Sequence, residues 1–221
     1  MMRLATLLAV FAFPVRLAAQ DAPASRLTGR LDEETQAMVL RTVDSARTRG
    51  LPVEPIVDKA LEGATKRATS VRIQAAVSSL LHRLEVAREA LAPSPGPRDI
   101  TAGADALAYG ATRDALRTMR AIRPNESIAV PLGVLTQLVA SGVPVARATG
   151  VVADLLRRGA RDEQLIALND DVRSYVAAGA SPEAALDVRT RGLNAVLAPA
   201  GTAPAAADAG ITGLSPASKK P

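Results

Sequence analysis

Apolar residues return every three or four positions through most of this chain, the spacing that lines up one face of a helix. Val39, Leu40, Val43 and Ala46 form one such set before Gly50, and Val53, Ile56, Val57, Ala60 and Leu61 form the next before Gly63. The longest set predicts a helix over 70–91, with Ile73, Val77, Leu80, Leu81, Leu84 and Leu91 on one side and Arg72, Ser79, Arg83 and Glu89 largely off it. Further helices are predicted over about 99–109, 112–122, 127–141, 144–158, 162–178 and 181–197. Pro131 falls early in the third of these, where a first turn tolerates it, so it reads as a late start. Gly150 and Gly192 lie inside later helices, where each is expected to fray or kink its host.

The stretches are punctuated in one way: a glycine, then a small or aliphatic residue, then usually Pro, Ser, Thr or a charged helix starter. Copies stand at Gly50-Leu51-Pro52, Gly63-Ala64-Thr65, Gly110-Ala111-Thr112, Gly142-Val143-Pro144, Gly159-Ala160-Arg161 and Gly179-Ala180-Ser181. Glycine takes the left-handed conformation that ends a helix, the apolar residue packs back on the last turn, and the third residue opens the next helix. The fold class that follows is all-α, with consecutive helical hairpins packed as an irregular bundle or short solenoid. Intervals of 39 and 37 residues, from Gly103 to Gly142 and from Gly142 to Gly179, suit a unit of two antiparallel helices. The signature residues of the common helical repeats are absent.

Other stretches break the helical pattern. Met1, Met2 and Arg3 lead into an uncharged apolar run to Phe13 and a small-residue exit at Leu17-Ala18-Ala19, the three parts of a secretory signal peptide. Pro93-Ser94-Pro95-Gly96-Pro97 cannot sit in a helix and reads as a linker or wide turn. The expected organisation is therefore a signal peptide (1–19), a flexible leader (20–30), an N-terminal helical unit (31–92), a Pro-rich linker (93–98), a C-terminal helical unit (99–198) and a disordered tail (199–221). The expected mature chain is exported to the periplasm or beyond, with no transmembrane anchor after cleavage.

Composition narrows the chemistry. There is no Cys, which excludes disulfides, thiolate nucleophiles and thiolate zinc sites. Only Tyr109 and Tyr175 supply aromatic rings after residue 19, so the core must be built from Leu, Val, Ile and Ala. Of the formal net charge of +5, two charges leave with Arg3 and Arg16, and the remaining bias is weak. With so few rings to stack on bases, no nucleic-acid partner is expected.

The single His82 lies beside the apolar stripe of the long helix with Glu85 three residues on, and reads as a surface histidine. No second histidine and no Gly-rich phosphate loop accompany it, so no metal, cofactor or catalytic residue is assigned. Asp162-Glu163 suits a helix start, Asp170-Asp171 point about 100 degrees apart, and Glu54 and Asp58 share a face one turn apart. The sharpest candidate is basic: Arg113, Arg117, Arg120 and Arg123 fall at spacings of four, three and three beside Leu116 and Met119, a stripe able to grip carboxylates or phosphates on a partner. Arg157, Arg158 and Arg161 form a second, looser cluster. The expected function is that of an exported non-enzymatic interaction or scaffold module of the cell envelope, binding a protein or an anionic envelope polymer. An envelope hydrolase using carboxylates, or a structural component without a discrete site, are the alternatives.

Overall fold

The computed structural model describes residues 21–197, so the expected signal peptide and C-terminal tail lie outside the described residues. Within that span the chain is all-helical: α1 (Asp21–Leu27), α2 (Glu33–Thr48), α3 (Glu54–Thr65), α4 (Ser70–Ala90), α5 (Pro97–Ala108), α6 (Arg113–Ile122), α7 (Ala129–Ala140), α8 (Val145–Arg157), α9 (Asp162–Ala177) and α10 (Pro182–Leu197). There is no strand among the described residues.

Five of the glycine junctions are built alike. Gly50, Gly110, Gly142, Gly159 and Gly179 all have positive φ. In each, the glycine N–H bonds the carbonyl three residues back and the next residue's N–H bonds the carbonyl five back, as Gly142 does to Val139 and Val143 to Leu138. That pairing satisfies two carbonyls that a helix end leaves open. The residue after the glycine then turns inward: Leu51, Ala111, Val143 and Ala160 are all buried. Starts are set as locally as stops. Asp32 accepts from the backbone N–H and the hydroxyl of Thr35 to cap α2, and takes a further bond from the Ser70 hydroxyl at the start of α4. These donors, the Thr35 N–H first, hold its carboxyl down at about 2.

Several expectations are corrected. Gly63 does not end α3; the helix runs past it to Thr65, and the reversal comes at Arg67, the described non-glycine residue with positive φ, whose N–H bonds the Ala64 carbonyl. Gly63 is there for closeness instead, since a β-carbon on it would stand 2.7 Å from Ile73 Cγ1 of α4. Gly103 likewise sits inside α5, where a β-carbon would meet Ala87 at 3.0 Å and Leu116 and Leu91 at 3.2 Å. The interval counted from it therefore joined a packing glycine to a turn glycine. Finally, part of the expected flexible leader is helix α1, because Leu27 is wholly buried and Arg26 bonds Glu54 at 2.5 Å and Asp58 at 2.6 Å on α3. Gly150 and Gly192 interrupt neither α8 nor α10, and Pro97 and Arg98 of the expected linker open α5 instead, since a first turn does not need the N–H that proline lacks.

Helices one apart in sequence pack side by side, α5 with α7 and α7 with α9 in one row, α4 with α6 and α6 with α8 in the other. The rows are joined where α4 meets α5, α7 meets α8 and α9 meets α10. Buried apolar residues form one cluster from Leu27 to Leu186, wholly aliphatic apart from Met119. Both tyrosines are exposed, and no described helix is long and apolar enough to cross a membrane.

The turn chemistry has measurable consequences. Gly142→Ala forces a side chain into a φ of +96° and sets its β-carbon 3.1 Å from Pro182 Cγ. It is expected to lower the unfolding free energy by about 1–3 kcal/mol in urea titration. Arg67→Gly relieves a left-handed residue at φ +53° and is expected to leave stability unchanged or raise it by up to about 1 kcal/mol. A clear loss of stability on Arg67→Gly would contradict the assignment of the reversal to a left-handed Arg67.

Candidate functional site

The four arginines of the α6 stripe share a helix but not a role. α6 buries Ala115, Leu116 and Met119, and Thr112 caps its start by accepting from the Ala115 N–H at 3.1 Å. Arg113 and Arg117 lie on the solvent side, Arg117 with 58% of its side chain exposed and a local ion pair to Asp114 at 3.0 Å. Arg120 and Arg123, in contrast, keep only 12% and 13% exposed. They flank the apolar face, one residue after Met119 and one after Ile122, and so turn into the neighbouring helices.

Arg120 meets Asp99, which stands in the first turn of α5 where a carboxylate suits the positive helix end. The Asp99 side chain is 7% exposed and accepts three bonds: from Arg120 Nη2 at 2.6 Å, from the Ser127 hydroxyl at 2.7 Å and from the Ile128 N–H at 3.1 Å. Arg120 Nη1 donates in turn to the carbonyls of Arg123 and Glu126, at 3.2 and 2.7 Å, just past its own helix end. Arg123 reaches the other way, to Asp162 at 2.6 Å and to the Ala160 carbonyl at the start of α9. Two arginines thus tie the exit of α6 to the entries of α5, α7 and α9. The expectation of four free guanidinium groups on one face is corrected accordingly, because Arg120 neutralises the buried Asp99 carboxylate and Arg123 is held by Asp162 and the Ala160 carbonyl.

Around this lock, segments 93–98 and 124–127 wall an open groove of about 850 Å³, with Leu91, Asp99 and Arg120 at its inner side. The exposed side chains of Ser94, Arg98 and Asn125 on its walls have no hydrogen-bond or ion-pair partner among the described residues. Neither segment was singled out from the sequence as a site. The signal available was the proline density of 93–97 and a second Pro at 124, which mark irregular backbone but not its convergence.

The remaining candidates fall to structural roles. His82 is exposed, with Nδ1 at 4.0 Å from Glu85 Oε2. Glu54 and Asp58 hold Arg26, Asp171 pairs with Arg189, and Arg157 pairs with Asp154 at 2.5 Å. Arg158 and Arg161 lie exposed. No group of three or more His, Cys, Asp or Glu residues among the described residues could hold a metal ion.

Removing one partner of a buried pair leaves the other charge stranded, whereas an exposed pair one turn apart contributes little. Arg120→Ala is therefore expected to lower unfolding stability by about 3–5 kcal/mol, and Arg117→Ala by no more than about 0.5 kcal/mol. Similar effects of the two substitutions in chemical denaturation would refute the division of the stripe. Comparison of the chain with protein-family models, with curated proteins and with solved structures gave no match.

Proposed function

We propose that this chain is an exported, non-enzymatic interaction module of the cell envelope, and that its partner docks in the groove between segments 93–98 and 124–127. Export rests on the arrangement of residues 1–19, a basic start, an apolar run and a small-residue exit. The docking site rests on one observation above all: the 93–96 linker, the first turn of α5 and the 124–127 connection converge on a groove of about 850 Å³ and are held there by the Asp99 and Arg120 pair. Loops presented by a rigid helical frame are where binding residues concentrate, and the volume is in the range of small-ligand and peptide sites.

With the one acidic wall residue, Glu126, facing Arg123 at 3.8 Å, Arg98, unpaired among the described residues, favours a protein segment carrying an acidic group. Arg98 offers a planar fork of donors to a carboxylate, Ser94 and Asn125 add neutral hydrogen-bonding groups, and Pro93, Pro97 and Pro124 supply rigid apolar surface. Arg113 and Arg117 remain a secondary basic patch outside the groove.

Affinity capture from an envelope extract tests this, with three proteins of matched circular dichroism. The wild type and an Arg113→Glu, Arg117→Glu variant are expected to retain the same partner, and an Arg98→Glu, Asn125→Tyr variant to release it. Retention by the groove variant at wild-type level would discard the groove, and loss by the Arg113, Arg117 variant alone would move the site to α6.

A further inference from the structure

The last helix, α10, meets α9 along one side and α8 through the ion pair between Arg147 and Asp187, and buries little else: Ala185 and Leu186 are its buried residues. Its opposite face is open. Ala184, Val188, Gly192 and Val196 follow one another at four-residue steps with Ala195 beside them, and all are exposed, Val188 by 47% and Val196 by 74%. An apolar line running the length of a helix is unusual for a surface facing only water. Beside it, Gly192, Leu193 and Val196 continue into a groove of about 400 Å³ shared with Ala167 and Leu168 of α9.

Charge identifies what covers this face. Along one flank of the apolar line stand Glu183, Asp187 and Arg191, one turn apart, so the flank runs acidic, acidic, basic from start to end. Two such helices laid parallel about a twofold axis set this flank against the opposite one, where Ala185 is buried and Arg189 already pairs with Asp171, so its charges find no partner. Laid antiparallel about a twofold axis, the same flanks meet in reverse order, and Arg191 of one copy comes opposite Asp187 of the partner subunit, whose Oδ1 is held by Arg147 of its own chain and whose Oδ2 accepts the second guanidinium, with the reciprocal contact formed by symmetry. The surface is complementary to itself in that orientation.

We propose that α10 is the interface of a homodimer, two copies packing antiparallel through Ala184, Val188, Gly192 and Ala195 with Arg191 and Asp187 paired across the axis. The contact lies at the far end of the chain from the 93–98 and 124–127 groove in sequence, and the inference does not rest on the docking reading. It leaves that groove available in each copy.

The chain has no cysteine, which makes the orientation directly readable. In sedimentation equilibrium the purified protein is expected at twice the monomer mass, and Val188→Glu is expected to weaken the association roughly 30-fold or more. Ile166→Glu, an equally exposed apolar position on α9, should leave it unchanged. Under mild oxidation, a mixture of Ala184→Cys and Ala195→Cys proteins should cross-link to each other in preference to themselves. A monomer at all concentrations, a dimer indifferent to Val188→Glu, or cross-links of each variant mainly to itself would overturn the proposal. So would a dimer that forms only after removal of residues 198–221, which would assign the face to that segment instead.

Discussion

A core without aromatic rings is the constraint on which the rest of this structure depends. Leu, Val, Ile and Ala bury little area apiece, so cohesion has to come from helices that approach closely and reverse sharply. Gly63 and Gly103 let α3 meet α4 and α5 meet α4 at distances a side chain would block. The positive-φ glycines let the chain double back without a loop, and each reversal spends its next residue on the core. Short connections and small contacts are two expressions of the same shortage of bulk.

Charge does the joining that aliphatic contacts leave undone. Arg120 and Asp99 close the space between the end of α6 and the starts of α5 and α7, and Arg123 extends the tie to Asp162 on α9. Arg26 fastens α1 to α3 through Glu54 and Asp58, although those groups are exposed and their ion pairs contribute modestly, so the buried Leu27 is what anchors α1. The buried pair matters differently: its worth lies in the specificity of a position from which neither partner can be removed alone. A rigid junction results, and the groove that gathers Ser94, Arg98 and Asn125 is its outer surface.

Much of the fold was legible in the residues. The helix over 70–91, the late start of α7 before Pro131 and the five glycine reversals follow from apolar period and turn chemistry, which act within a few residues of one another. The failures share a cause. Gly63 and Gly103 look like turn glycines because a sequence does not distinguish a residue chosen for φ from one chosen for lack of a β-carbon. The arginine stripe looked like one surface because helical spacing gives direction around an axis, but not which neighbours stand there. One clue was available: Arg120 and Arg123 each follow directly on an apolar residue of α6, Met119 and Ile122, at the edge of the buried face.

By itself, then, the amino-acid order determined that the chain is helical, where most helices begin and end, and that its interior is aliphatic, because those properties are decided by contacts between near neighbours. Tertiary packing alone decided which glycines are spacers, which arginines are buried ties, and that residues 93–98 and 124–127 face one another across a groove. Those outcomes depend on groups tens of residues apart, as Asp99 and Ser127 are, meeting within hydrogen-bond distance, and only the folded arrangement of helices brings them there.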